Sequence, residues 1–124
     1  MDTSEEYVRM CKKAKEIQKV WNPENGDFYF DLVNERVYSY CSSAIGKGYT
    51  GIDVWLPRQD QLQEMITDGL AWKHVLFDEF VRNQEANWIT GEIKNFGSFE
   101  QLWLAFVMYR KFNKIWDGEK WVEE

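Results

Sequence analysis

The sequence holds one histidine, His74, and only two cysteines, Cys11 and Cys41. With a single imidazole and no motif around either thiol, no Ser/His/Asp or Cys/His arrangement can be picked out. The cysteines lack metal-ligand spacing such as C-x-x-C, and reduced thiols suit a chain without secretory features. No hydrophobic run is long. The longest, residues 102–109, falls far short of the roughly 20 residues a membrane-spanning helix needs. The opening Met1-Asp2-Thr3-Ser4-Glu5-Glu6 is acidic and unlike a signal peptide, so the expectation is a cytoplasmic protein with no membrane partner. Basic residues are in deficit, 15 against 21 acidic, for a net charge of −6. Such a field repels phosphate backbones, which makes nucleic acid an unfavoured partner. Repeats, low-complexity stretches and linkers are missing too, so the 124 residues read as one domain.

Aromatic side chains are plentiful: seven Trp, six Tyr and eight Phe. Each can bury roughly 150–250 Å², so either the core is unusually aromatic or part of that surface meets a partner.

Tyr7, Met10, Cys11, Ala14, Ile17 and Trp21 recur at three- and four-residue spacings and predict one helix over residues 4–21, opened by a Thr3–Glu6 capping box. Asn22-Pro23 stops it, and from Asp27 the period changes to two. Phe28, Phe30 and Leu32 point one way and Tyr29 and Asp31 the other, as in a half-buried strand. A turn at Asn34-Glu35 leads to a second strand over 36–40. A glycine-rich loop spans 42–51, and a third strand follows over 52–56. Short turns join antiparallel neighbours, so the simplest sheet has three antiparallel strands.

Pro57 can start a short helix carrying Leu62, Met65 and Ile66. A further helix over 70–84 would turn Trp72, Val75, Leu76 and Phe80 inward and Lys73, His74, Asp78 and Arg82 outward. The stretch 87–97 is ambiguous. Ser98 with Gln101 is a second capping box, opening a helix to about residue 115. Asp117-Gly118 between Trp116 and Trp121 suits a terminal hairpin. The expected fold is therefore α+β, with three or four helices on a small antiparallel sheet.

Several constellations could carry chemistry. His74 and Asp78 share a helix face, and with Glu64 and Asp68 they could make a metal-dependent hydrolytic or nucleotide-processing site. That face is polar, however, and a solvated helix surface accounts for it, so no metal ligand and no cofactor is assigned. The Gly46-Lys47-Gly48-Tyr49-Thr50-Gly51 loop fails as a phosphate cradle, because the glycines are too close and a strand follows. Arg110, Lys111 and Lys114 suit the last turn of a helix, where cations complement its dipole.

Two stretches stand out. Trp55, Arg58, Gln59 and Asp60 occupy a strand-to-helix junction dense in hydrogen-bonding groups at a helix start, which makes them candidate ligand-binding residues. The run Leu102-Trp103-Leu104-Ala105-Phe106-Val107-Met108-Tyr109 is apolar all around its helix. A core-facing stripe needs only part of that circumference, so Leu104, Val107 and Met108 are candidates for contact with a second copy in a homodimer.

The residues from Trp55 to Met65, those from Ser98 to Met108, and the terminal Trp116-Asp117-Gly118-Glu119-Lys120-Trp121 together resemble small uncharacterised proteins encoded in phages and prophages. The likeness covers about half the chain. It implies an accessory phage protein made in a bacterial cytoplasm and brings no activity, cofactor or site residue with it. The expected function is a non-catalytic, self-associating interaction module. The rivals are the metal-dependent enzyme and a small-ligand site at the Trp55–Asp60 junction.

Overall fold

A computed structural model describes residues 1–41, 53–89 and 96–123. The 42–51 loop and Ile52 lie outside the described residues, as does most of the ambiguous 87–97 stretch. The architecture is α+β. Among the described residues it comprises five helices, a three-stranded antiparallel sheet and a two-stranded hairpin. No helix among them is long and apolar enough to cross a membrane. The chain divides into two compact units, Met1–Arg58 and Gln59–Glu124.

In the first unit the predicted single helix is two, α1 (Glu5–Lys13) and α2 (Lys15–Lys19), separated at Ala14, whose ψ of 72° leaves the helical region. The N-cap is Ser4 and not Thr3: Ser4 Oγ accepts the Tyr7 N–H at 3.2 Å, while Glu6 pairs with Arg9. The predicted stripe holds, with Tyr7, Met10, Cys11, Ala14 and Ile17 all buried. Burial pushes the Cys11 thiol far up, so it stays protonated.

Strands β1 (Phe28–Asp31), β2 (Arg36–Ser39) and β3 (Asp53–Leu56) form a sheet in the order β2-β1-β3. Tyr29 lies opposite Tyr38 on one side and Trp55 on the other, so one row of aromatic side chains crosses the sheet. Tyr29 and Tyr38 rings are 5.8 Å apart, and Trp21 stacks on Trp55 within 5° of parallel. The buried side chains of β1 are Tyr29 and Asp31, while Phe28 and Phe30 are half-buried. Asp31 is held in the β1–β2 turn by the Val33 N–H, the Asn34 N–H and the Asn34 side-chain amide. The outer edge of β3 is covered by a side chain. Gln18 Oε1 accepts the Trp55 N–H at 2.8 Å, and Gln18 Nε2 donates to the Trp55 carbonyl at 3.0 Å. This amide stands in for one residue of a further strand. Tyr7 adds a 2.6 Å hydrogen bond from its hydroxyl to the Pro57 carbonyl.

The second unit holds α3 (Gln59–Glu64), α4 (Leu70–Ile89), α5 (Phe99–Phe112) and a hairpin of β4 (Lys114–Trp116) and β5 (Trp121–Glu123). Ser98 caps α5 by accepting the Gln101 N–H at 3.1 Å, and Gln101 Oε1 reaches back to the Gly97 N–H. Asn113 ends the helix in the left-handed region, returning its N–H to the Tyr109 carbonyl. Asp117 Oδ1 then accepts the Glu119 and Lys120 N–H groups, and Gly118 supplies the positive φ of the hairpin turn.

The rotation of α4 differs from expectation. Phe77 stacks on Trp103 at 4.0 Å, and Phe80 packs against Phe106 and Tyr109. The inward stripe is thus Lys73, Leu76, Phe77 and Phe80, at spacings of three, one and three. Trp72 and Val75 fall outside it and are exposed, at 62% and 47%.

Candidate functional site

Trp55 sits at the centre of β3, placed by its antiparallel pairing with Tyr29 and by the Gln18 amide on its backbone. Its side chain is buried, and its indole N–H has no hydrogen-bond partner among the described residues. Arg58 follows Pro57 and turns back toward the start of the sheet. Its Nη1 donates to the Gly26 carbonyl at 3.0 Å and lies 3.4 Å from Asp27 Oδ1. Asp27 is almost fully buried and also accepts the Trp21 indole N–H at 3.0 Å and the Glu24 N–H at 2.9 Å. Gly26, at φ 93°, and Asp27 together face Tyr40: the Gly26 N–H donates to the Tyr40 carbonyl and the Tyr40 N–H to the Asp27 carbonyl. That is a glycine-led bulge at the entrance to β1. Arg58 therefore ties the end of β3 to this bulge, 31 residues earlier in the chain.

Gln59 and Asp60 form the first turn of α3, in the second unit. The four candidate binding residues are thus divided two and two between the units. The helix they open has six residues, too short to offer a strong dipole to an anion.

The acidic constellation is not brought together. Asp68 pairs with Arg110 at 3.6 Å, Asp78 with Arg82 at 3.0 Å, and His74 is exposed. Among the described residues, no three His, Cys, Asp or Glu side chains are grouped so as to hold a metal ion. The basic residues at the end of α5 have local work, since Lys111 Nζ donates to the Met65 carbonyl while Arg110 holds Asp68. Lys73 Nζ similarly donates to the Gln63 carbonyl. The Gln63 carbonyl also accepts the Ile66 N–H at 3.2 Å, so these lysines add donors to carbonyls at and just past the end of α3.

The proposed interface on α5 is corrected by burial. Leu104, Val107 and Met108 have no exposed surface within a single chain, and Trp103, Ala105 and Phe106 are buried as well. The helix is apolar all around because it is enclosed all around. A second copy has nothing to reach at these three residues.

The chain matches no protein-family model, no curated protein and no solved structure. What bears on function is the surface of the molecule itself. Its most conspicuous feature is one that sequence reasoning placed in the core: Trp72, with Val75 three residues on and Ala71 beside them, faces outward on α4. Leu70, at the first position of the same helix, is 84% exposed. The signal that could have found this face is the weak segregation of α4, which carries large apolar residues on more than one side.

Proposed function

We propose that the protein is a non-catalytic, self-associating interaction module of the phage-accessory kind, produced in a bacterial cytoplasm. The observation that carries this reading is Trp72, an exposed indole three residues before exposed Val75 on α4, with Leu70 also exposed at the same end of the helix. Tryptophan is the residue most enriched where protein interfaces concentrate their energy, because its large rigid surface orders at little entropic cost. Exposed apolar residues scattered singly need no explanation, whereas several on one helix end mark a surface for contact. The ion pair between Asp78 and Arg82 gives the same helix a polar flank, as expected at the margin of such a surface.

A photo-crosslinking residue in place of Trp72, in protein made in a bacterial host, tests the reading. A discrete adduct from position 72, lacking when the same group replaces Arg82, is the expected result. Equal labelling from both positions, or no adduct from either, overturns it.

A further inference from the structure

We infer that the outer edge of β2 pairs with β2 of a second copy, joining two three-stranded sheets into one of six strands. This inference deepens the self-association in the function proposed above and does not use the α4 face.

The pairing pattern shows which groups face outward. The Tyr40 N–H donates to the Asp27 carbonyl, so residues 27, 29 and 31 of the first strand address β2 and residues 36, 38 and 40 address β1. The same alternation points the Trp55 N–H and carbonyl away from β1, where Gln18 meets them, which confirms the phase. Val37 and Ser39 must then turn their N–H and C=O groups away from β1. No strand among the described residues pairs on that side. The two edges of the sheet are thus treated differently: a side-chain amide covers β3, while β2 offers two donors and two acceptors at a spacing of two residues.

Only an extended backbone matches that pattern, and β2 matches itself. In an antiparallel pair with Val37 opposite Ser39 of the second copy, both residues of both copies exchange their hydrogen bonds. Tyr38 then falls on the twofold axis opposite its counterpart. The row Trp55–Tyr29–Tyr38 continues without interruption into Tyr38–Tyr29–Trp55 of the other copy, and aromatic cross-strand pairs of this kind are favourable. The charge pattern fits as well. Arg36, the only charged residue of β2, lies opposite Tyr40 of the second copy rather than opposite itself, so no like charges are apposed in a protein of net charge −6.

The ladder is short, so association is concentration-dependent, and the full chain should be followed by sedimentation from about 10 to about 500 µM. The expected result is a shift from monomer to dimer mass, with the Val37 and Ser39 amides gaining protection from hydrogen exchange as the dimer fills. Ser39→Pro removes an outward N–H and leaves the β1–β2 ladder whole, as proline does on an edge strand. It should weaken association about tenfold or more while helical circular dichroism is unchanged. Tyr38→Cys in a Cys41→Ser background should oxidise to a disulfide-linked dimer, because the two positions meet on the axis at a Cα separation a disulfide can bridge. A monomer mass at the highest concentration overturns the inference, as does a dimer without concentration-dependent protection of the two amides. A dimer that Trp72→Glu dissociates and Ser39→Pro does not also overturns it, and leaves the α4 reading standing.

Discussion

Arg58 and Asp31 show how far a polar residue's role depends on what lies across the fold from it. Arg58 donates to the Gly26 carbonyl and to buried Asp27, so it closes the first unit rather than waiting for a ligand. Arg58→Ala should cost about 1–2 kcal/mol in urea unfolding, since the guanidinium is partly exposed and its charge is screened. Unchanged stability would return Arg58 to the list of binding residues. For Asp31, burial alone would raise the carboxyl pKa, but the Val33 N–H, Asn34 N–H and Asn34 side-chain amide outweigh it and hold it below the ordinary value near 3.8. A depressed folded-state value means that the stabilisation is fully present above the unfolded value. It is lost as pH falls through the lower folded one. Acid titration followed by circular dichroism should therefore show stability flat at neutral pH and falling below about pH 4. Asp31→Asn, which puts an amide where three donors converge, should destabilise at neutral pH and flatten that acid limb. A mutant limb as steep as the wild type's would exclude Asp31 as its source.

At the scale of elements, α4 and α5 make opposite points. The phase of α4 is set by Phe77 stacking on Trp103 and by Phe80 on Phe106, so the two aromatic positions of α4 should respond unequally to truncation. Phe80→Ala should cost about 3–5 kcal/mol, as for a buried phenylalanine, and Trp72→Ala within about 0.5 kcal/mol of nothing, as for a surface residue. Equal losses in denaturant midpoints would mean that Trp72 is core after all. This phase was not legible in the sequence, because Trp72, Val75, Leu76, Phe77 and Phe80 spread over more than half the helix circumference and several rotations bury a similar area. The three strands, the Ser98 cap and the terminal hairpin were legible, because each is decided within a few residues by period, cap chemistry or Asp117-Gly118. The partners of Arg58 and Gln18 were not, since Asp27 and Trp55 lie 31 and 37 residues away and nothing local encodes the contact. The break at Ala14 was missed for a related reason: its neighbours continue the apolar stripe on both sides, so periodicity passes through it unmarked.

For the whole molecule, the composition posed one question: where do seven tryptophans go in 124 residues? Trp103 and Trp116 are buried in the second unit and Trp55 in the first, while Trp72 remains outside. Trp21 and Trp121 are half-buried, so the aromatic surplus is shared between core and surface, and the case for association moves from α5 to α4 and the β2 edge. This separation between what holds one chain together and what joins two can be tested at Leu104, which has no exposed surface in a single chain. Leu104→Ala removes three buried carbons and leaves a cavity that enclosure on all sides keeps from collapsing. It should cost about 2–5 kcal/mol of unfolding free energy. The same substitution should leave the concentration dependence of the sedimenting mass unchanged wherever the variant is folded, because the mutated atoms face no second copy. Stability and association are read from the same samples, by urea titration and by sedimentation. If Leu104→Ala weakens association while the unfolding midpoint stays put, α5 is an interface, and its apolar circumference has the meaning first expected of it.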